Sequence, residues 1–252
     1  MEEYRKFLKN YVWEHIIDKK TDTLKTDQYR NVPHPPLQKE YPKEAKLIDL
    51  VASEKFAVAK MPFIEVIRKR KSRRKYSKKA LTLEELSFLL WATQGVHRII
   101  GNGMATQRVV PSGGARHPFE TYLVINRVKG IEPGLYRYLA LEHKLYRIPT
   151  KGNLARQLVT ACMEQKFVGS SAVTFVWTVI PYRAEWRYGK VSHKMIAIDA
   201  GHLCQNLYLA CEAINAGACA VGAYSQRKMD KLLGVDGKEE FTIYVASIGK
   251  TE

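Results

Sequence analysis

The stretch PSGGARHPFETYLVI, residues 111–125, joins a loop of small residues between two prolines to a run of β-branched and aromatic residues. Small residues ahead of a strand let the backbone approach a flat or charged group and leave N–H groups free to donate. The second half predicts a buried strand that holds the loop rigid. Composition alone favours a simpler interpretation, in which the stretch is a proline-bounded turn before a core strand.

The segments that follow alternate between strand and helix patterns. Residues 134–138 and 143–148 predict a β-hairpin, and Asn153 is expected to start a helix. Residues 172–180 predict a central strand buried on both faces, and residues 240–248 predict the last strand. Periodicity therefore predicts an α+β domain and nothing finer.

Upstream of the stretch, Thr82 and Glu85 form a capping box for a helix that should end near Gly95. Residues 97–107 are expected to be a loop. Its Gly101-Asn102-Gly103 is not a GxGxxG fingerprint and has no βαβ pattern around it. We therefore predict no Rossmann-type site for NAD or FAD.

A basic run lies between Arg68 and Lys79, where nine of the twelve residues are lysine or arginine. A solvated charged face and a nucleic-acid patch both fit such a run. A third interpretation is a phosphate site, because arginine forks, a lysine and a serine hydroxyl suit bidentate recognition of phosphate. The run alone leaves all three open.

Two further segments have distinctive compositions. Residues 186–190 are predicted to lie in a polar loop, followed by a helix with Asp199 as its N-cap. That helix places Leu203, Leu207 and Cys211 on one stripe, which is typical of a core or a dimer seam. Residues 217–224 are predicted to be a second small-residue loop, before a short helix capped by Ser225 and ended by Gly234.

The whole chain has 252 residues, 46% of them hydrophobic, which fits one large domain or one domain with an appendage. Its formal net charge of +16 indicates an anionic partner, such as nucleic acid, a membrane surface or a cofactor, and says nothing about the fold. No apolar run approaches the roughly 18 residues of a spanning helix, and no signal peptide is apparent. The four cysteines form no CxxC pair, so we expect no metal site and a reduced, cytoplasmic protein.

The N-terminal part is predicted to be separate from the main domain. Residues 2–17 place Tyr4, Phe7, Leu8, Tyr11, Val12, His15 and Ile16 on one helical face. Residues 18–45 contain four closely spaced prolines and predict an extended arm. We divide the chain into a helix and Pro-rich arm, 1–60, and a main domain, 61–252.

Four motifs occur in one order: Arg-Lys-Ser-x-Arg at 70–74, Leu-Leu-Trp-Ala-Thr-Gln-Gly at 89–95 with the loop at 111–122, Ala-Gly-His-x-x-Gln-Asn-Leu at 200–207, and the small-residue segment at 217–224. Together they resemble the FMN-dependent nitroreductase superfamily, and most closely its SagB-type (thiazole/oxazole) dehydrogenase branch. The resemblance implies an α+β nitroreductase-like fold: a central, mainly antiparallel sheet flanked by helices, in a homodimer with FMN at the subunit interface.

The resemblance also assigns cofactor-binding residues. The phosphate would be held by Arg70, Lys71, Ser72 and Arg74, with Lys250 as a substitute for basic residues that longer members carry. The loop Pro111, Ser112, Gly113, Gly114 and Ala115 would face the flavin of the partner, and Arg108 would orient anionic groups. Backbone N–H groups of Ala220, Val221, Gly222 and Ala223 would lie near flavin N5 and O4, where they stabilise negative charge.

The implied activity is ping-pong electron transfer from NAD(P)H to a small organic acceptor such as a nitro or quinone compound. SagB-type dehydrogenases, which act on a peptide or heterocycle, are the alternative. They carry a Lys-Tyr pair where this chain has Arg187-Tyr188, and arginine cannot act as a base because its pKa stays too high. The catalytic candidates are Tyr188 and Arg187, the latter in a binding role. A nucleic-acid-binding protein using residues 68–79 is the alternative from another class, although no known binding motif accompanies the run.

Overall fold

The computed structural model describes residues 2–9, 13, 17–18 and 23–251. The strands are β1 (Ile17–Asp18), β2 (Thr23–Leu24), β3 (Leu47–Asp49), β4 (Val96–Ile100), β5 (Ala105–Arg108), β6 (Phe119–Ile125), β7 (Gly134–Leu139), β8 (Lys144–Ile148), β9 (Val173–Val179), β10 (Ala216–Val221) and β11 (Phe241–Lys250). The helices are α1 (Glu2–Lys6), α2 (Phe63–Lys69), α3 (Leu83–Gln94), α4 (Leu154–Ala161), α5 (Lys166–Ser170), α6 (Tyr182–Tyr188), α7 (Ser192–Ala213) and α8 (Gln226–Leu233).

A seven-stranded antiparallel sheet in the order β10-β11-β9-β6-β7-β8-β3 forms the centre of the domain. Strands β6 and β9 are buried at every residue, as their β-branched and aromatic composition predicts. Their register pairs Tyr122 with Val176 and Leu123 with Phe175. The α+β class and the central, mainly antiparallel sheet predicted from the sequence are confirmed.

Alternate residues of each strand face two separate cores, because side chains along a strand alternate between faces. Leu123 and Ile125 of β6 join the larger core, which contains residues of α3 and α7. Tyr122 and Val124 join the smaller core, with Leu158 of α4 and residues of α5 and α8. We call these two sides the α3/α7 face and the α4/α8 face.

Local sequence signals set several helix ends. Thr82 and Glu85 make both hydrogen bonds of the predicted capping box, and α3 ends before Gly95. Asn153 caps α4 by accepting from Arg156 N. Gly234 ends α8 in the left-handed conformation. The predicted hairpin is confirmed as β7 and β8.

Four local predictions are wrong. Residues 96–108 form the hairpin β4–β5, turning at Gly101 and Gly103, whose positive φ angles suit glycine. The polar segment around Trp186 is helix α6, which buries Ala184 and Trp186 and whose one strongly buried charge, Arg183, is paired with the buried Glu120.

The long helix starts at Ser192, so Asp199 is an interior residue and not its N-cap. Residues 216–221 are an edge strand, β10, and only the following residues form a loop. Small side chains fit that strand because a Cβ on Gly217 would lie 2.5 Å from Arg73 Cδ.

The predicted N-terminal helix is shorter than its pattern. Helix α1 covers Glu2–Lys6, and Ile17 belongs to a strand that pairs with Leu24, because β pairing there competes with the helical pattern. The apolar side chains of Tyr4 and Leu8 are exposed. The other members of the predicted helical face, Tyr11, Val12, His15 and Ile16, lie outside the described residues.

The Pro-rich arm is bound to the main body. Leu47–Asp49 pairs with β8 and provides the edge strand β3. Lys39 N donates to Glu120 Oε1 over 2.7 Å, and Arg137 donates to the carbonyl oxygens of Lys39 and Glu40. The division into two domains at residue 60 remains a prediction.

Candidate active site

Tyr208 of α7 connects two of the predicted motifs. Its hydroxyl lies 3.0 Å from Ser72 Oγ and accepts a hydrogen bond of 2.8 Å from Ala220 N. Ser72 belongs to the basic run, and Ala220 belongs to β10, nearly 150 positions later in the chain. One phenol therefore fixes the predicted phosphate motif relative to the predicted flavin N5 segment.

A cation lies beside this point, and a second follows it in the chain. The Arg70 guanidinium lies 5.4 Å from the centroid of the Tyr208 ring, which is cation–π geometry. Within residues 23–251, the Arg70 and Lys71 side chains have no carboxylate partner, and Ser72 is exposed. Unpaired cations next to a hydroxyl suit a phosphate group, which accepts several charge-assisted hydrogen bonds.

The middle of the basic run turns inward. Arg73 forms a salt bridge with the buried Glu212 over 2.9 Å, and Arg73 N donates to Ala218 O over 2.9 Å. Ser72 pairs with Ala218 in a single parallel bridge. The run is thus partly built into the edge of the sheet, unlike the continuous exposed face that a nucleic-acid patch uses.

Arg74 faces away from Tyr208. Its guanidinium lies 5.9 Å from the Phe167 ring centroid, and its charge opposes the rise that burial causes in the pKa of the Cys219 thiol. A contact between Arg74 and phosphate therefore stays a prediction that its described contacts do not support.

The loop at Pro111 is held by Asp199, which the sequence pattern predicted to be a helix N-cap. Asp199 Oδ2 accepts from Ser112 Oγ over 2.7 Å and from Gly113 N over 3.0 Å. Ser112 Oγ also accepts a hydrogen bond of 3.0 Å from His117 N, so this hydroxyl connects the start of the loop to its end. Burial raises the pKa of Asp199, while the bonds from Ser112 and Gly113 oppose that rise by favouring the carboxylate.

Both catalytic candidates lie against this loop. A Cβ built on Gly114, whose φ is +58°, would lie 2.3 Å from Tyr188 Oη and 2.9 Å from Arg187 Nε. A Cβ on Gly113 would lie 2.0 Å from Met195 Cε. Gly113 therefore allows a close approach of the loop to α7, and Gly114 allows one to the end of α6, which places Arg187 and Tyr188 beside the predicted flavin-facing segment.

The remaining residues of the loop differ in their surroundings. Pro111 is exposed, whereas Ala115 is half-buried and closes a single 3₁₀ turn, Gly113–Ala115. Arg116 donates to Arg183 O over 2.9 Å and lies 5.0 Å from the Trp186 ring centroid. Arg116 therefore anchors the loop to α6.

Arg108 and Lys250 have internal partners. Arg108 donates to Gln94 Oε1 over 2.7 Å and to Thr106 Oγ1 over 3.0 Å. Burial lowers the pKa of Arg108 to about 10, which leaves it charged at neutral pH. Lys250 contacts the Glu85 carboxylate and donates to Ile214 O over 2.8 Å. Their predicted cofactor contacts stay predictions, and these bonds favour structural roles.

Of the four residues predicted near the flavin ring, two lie in β10 and two lie in the loop that follows it. Ala220 and Val221 belong to the strand, and Ala220 N is already bonded to Tyr208. Gly222 and Ala223 lie beyond it and are exposed, and a Cβ on Gly222 would have no atom within 4 Å. This open backbone begins two residues after Ala220, which Tyr208 links to Ser72, and the arrangement fits a group that has both a phosphate and a planar ring.

Tyr208 and Asp199 are site residues that the sequence patterns do not predict. A tyrosine within a helical apolar stripe has the same pattern as a core residue, and an aspartate before Ala-Gly resembles a cap. Nothing in the sequence shows that each contacts a distant loop. Among the described residues, no group of three or more His, Cys, Asp or Glu side chains could hold a metal.

The family model for the nitroreductase family matches residues 67–250, so the chain belongs to that family. Two relatives are each described as a "putative nitroreductase". MJ1384 of Methanocaldococcus jannaschii is 29% identical over 74% of this chain and 89% of its own length. A crystal structure of the protein from Ralstonia eutropha JMP134 is 26% identical, with a TM-score of 0.66. The match covers 88% of this chain and 99% of that chain.

Two other similar proteins have names that refer to peptides or processing. The trifolitoxin-processing protein TfxB of Rhizobium leguminosarum bv. trifolii is 29% identical over 56% of this chain, which spans only 34% of TfxB. The E. coli microcin synthetase McbBCD complex, with truncated pro-MccB17 bound, has a TM-score of 0.61 at 20% identity, covering 90% of this chain and 80% of that one. At 20% identity, the similarity to the McbBCD complex shows a shared fold only.

The protein is therefore an oxidoreductase of the nitroreductase family. None of the helices in the described ranges is long and apolar enough to cross a membrane. The four cysteines are buried and unpaired, and burial raises the pKa of both Cys162 and Cys204 to about 12, so these thiols stay protonated.

Proposed function

We propose that the protein is an FMN-dependent oxidoreductase that transfers electrons from NAD(P)H to a small organic acceptor such as a nitro or quinone compound. The observation that carries the proposal is the bond pair at Tyr208, which holds Ser72 and Ala220 on one phenol. Phosphate ligands and an open backbone segment then belong to one rigid unit, as a phosphorylated planar cofactor requires.

Each part of the site has a separate task. Arg70, Lys71 and Ser72 bind the phosphate, and the backbone around Gly222 and Ala223 lies beside the ring. When bound, FMN supplies the two-electron chemistry. Backbone N–H donors stabilise negative charge on the ring without introducing a titratable group.

Arg187 and Tyr188 act on the substrate side of the site. Their closeness to Gly114 supports this role, because it brings a permanent cation and a phenol next to the loop that would face the cofactor. Arg187 would orient an anionic group of NAD(P)H or of the acceptor, because a guanidinium remains charged and binds carboxylate or phosphate bidentately. Tyr188 Oη would donate a hydrogen bond to the bound substrate.

The active unit is proposed to be a homodimer with its two cofactor sites at the interface. Phe63 and Ile64 of α2 are 69% and 54% exposed, and Ile198 of α7 is 50% exposed. Large apolar side chains exposed on two neighbouring helices suit a subunit interface. Sedimentation should give a dimer, and Ile198→Asp should give a monomer with weakened FMN binding.

The first experiment is the visible spectrum of the purified protein, followed by identification of the released chromophore. We expect a yellow protein that releases about one FMN per chain and reduces a nitro or quinone compound with NADH or NADPH. A colourless protein that takes up no added FMN would contradict the proposal.

A matched pair of variants tests the assignment. Arg70→Ala should weaken FMN binding by about tenfold or more, because it removes a charge-assisted contact. Lys75→Ala removes the same charge from an exposed position of the same run and should leave FMN affinity within about twofold. Equal effects of the two substitutions would indicate a general effect of charge.

A SagB-type dehydrogenase acting on a peptide or heterocycle is the second candidate. Two observations favour it: Tyr188 is retained beside Gly114, and TfxB, a processing protein by name, is among the relatives. Arg187 replaces the lysine of the Lys-Tyr pair, which removes the usual base.

The two candidates differ in what the enzyme does with an azoline-containing peptide. The second predicts oxidation to the azole by the wild-type protein, and a faster reaction after Arg187→Lys. The first predicts no oxidation by the wild type and steady turnover of NAD(P)H with a quinone. The cytoplasmic location also remains a prediction, which fractionation of the host cell would test.

A further inference from the structure

A large cleft on the α4/α8 face of the sheet has no part in the proposed redox site. It has a volume of about 780 Å³ and lies between α4 and α8, next to the end of the β7–β8 hairpin. Tyr208 and Ala220 pack against the core on the other face. A ligand in this cleft would therefore lie on the opposite face of the sheet from Tyr208 and Ala220.

The floor of the cleft is apolar. It consists of side chains at the margin of the smaller core, where α4 and α8 leave the sheet uncovered: Leu135, Ile148, Leu154, Leu232 and Leu233. Ile148, Leu154 and Leu232 are only partly buried. Such a floor, within a space of this volume, suits ligand side chains that bury apolar area.

The rim of the cleft is positively charged on both sides. Lys151 and Arg156 flank the start of α4, and Lys228 and Lys231 are one turn apart on α8. All four are exposed, and the described lining contains no aspartate or glutamate.

The acidic residue of α8 that lies between these lysines is directed inward. Asp230 is 5% exposed and accepts from Thr242 N over 2.8 Å and from Gln226 Nε2. It is therefore committed to the link between α8 and β11, and the rim lysines keep a positive potential that favours an anionic partner.

The distribution of charge indicates the kind of ligand. A detergent-like anion has one charged head and would contact one wall. Cations on both walls above an apolar floor instead match a ligand with several carboxylates and intervening apolar groups. An acidic peptide containing leucine-like side chains has this combination.

We propose that the cleft between α4 and α8 is a docking site for an acidic peptide segment of a partner protein. The apolar side chains of the peptide contact Leu154 and Leu232. Its carboxylates face Lys151 and Arg156 on one wall and Lys228 and Lys231 on the other. This proposal is independent of the cofactor and of the redox reaction.

The test measures binding of a short fluorescent peptide, with leucines between glutamates, to the full-length protein by anisotropy. Lys228→Glu/Lys231→Glu should weaken binding by about tenfold or more. The control, Lys78→Glu/Lys79→Glu, makes the same change in net charge at exposed positions of the basic run and should alter affinity by less than about twofold. Replacing every glutamate of the peptide with glutamine should abolish binding.

Amide hydrogen exchange then locates the peptide. We expect slower exchange in Leu154–Ala161 and Gln226–Leu233, with β10 unchanged. Equal weakening by the two double substitutions, protection confined to another surface, or binding of dodecanoate without binding of the peptide would each overturn the proposal. Because neither substitution touches Arg70, Ser72 or Tyr208, FMN content reports separately on the redox site.

Discussion

Ser112 donates its hydroxyl proton to Asp199 Oδ2 over 2.7 Å, across 87 positions of the chain. Gly113 N donates to the same oxygen atom over 3.0 Å. One buried carboxylate of α7 thereby sets the position of the loop that carries Gly114, against which Arg187 and Tyr188 pack. The position of the loop beside the two proposed catalytic residues thus depends on an aspartate that contacts neither the substrate nor the cofactor in the proposed site.

Asp199→Ala should destabilise the protein by about 2–3 kcal/mol, because it leaves Ser112 Oγ and Gly113 N without their acceptor. Asp199→Asn keeps one carbonyl oxygen and should cost about 1–2 kcal/mol. Urea titration measures both losses of stability. The control is Asp49→Asn, which changes an exposed carboxylate on β3 and should alter the free energy of unfolding by less than about 0.5 kcal/mol. If Asp199→Ala matched that control, the loop would have another anchor.

Gly114→Ala should reduce activity and stability more than Gly130→Ala. Both glycines have positive φ, so each alanine brings a backbone strain of about 1 kcal/mol. Only the Gly114 Cβ would meet Tyr188 Oη, whereas Gly130 has open space around it. Thermal unfolding and turnover measure the difference between them. Adding Tyr188→Phe should restore part of the lost stability, and no recovery would contradict the contact.

Tyr208→Phe should weaken FMN binding by about tenfold, since it removes the hydroxyl that holds Ser72 and Ala220 but keeps the ring beside Arg70. Fluorescence titration of the apoprotein with FMN gives the affinity. The exposed Tyr29 provides the control, because Tyr29→Phe should leave the affinity unchanged. An unchanged affinity in Tyr208→Phe would separate Tyr208 from cofactor binding.

His117 should make the stability depend on pH. Burial lowers its pKa from 6.5 to about 3, with Arg108 and then Arg116 contributing further. Between these values the unfolded chain binds a proton that the folded protein does not, so the free energy of unfolding falls as the pH decreases, by up to about 1.4 kcal/mol per pH unit. The contribution is fully present above pH 6.5.

His117→Asn should reduce this pH dependence, because asparagine does not titrate and tolerates the positive φ of 41° at this position. Urea midpoints at about pH 5 and about pH 7 measure it. Burial also lowers the pKa of His143, so the difference between wild type and variant is the informative quantity. Parallel pH profiles would show that His117 is not the source.

Sequence patterns predicted the elements whose signals are local. The capping box at Thr82 follows from residues three positions apart, and the buried strand at Val173–Val179 follows from a continuous run of β-branched and aromatic residues. The ordered motifs predicted the family, which the match over residues 67–250 confirmed.

The roles of individual residues depend on contacts between distant segments. Asp199 has a helical sequence context, and only the fold brings Ser112 to it. Lys250 was expected to bind phosphate because of its charge, yet Glu85, far away in the sequence, is its partner. Sequence spacing specifies which residue types occur but not which partner a charged side chain finds, and that choice decides between a structural and a binding role.

The single bridge between Ser72 and Ala218 also affects how the sheet ends. Strand β10 is the outermost strand on its side, and an open strand edge can pair with another chain and start aggregation. The backbone of Ser72 and Arg73 occupies this edge, and Glu212 holds Arg73 in place. The segment proposed to bind phosphate thus also shields β10, so a substitution that detaches it would threaten solubility as well as cofactor loading.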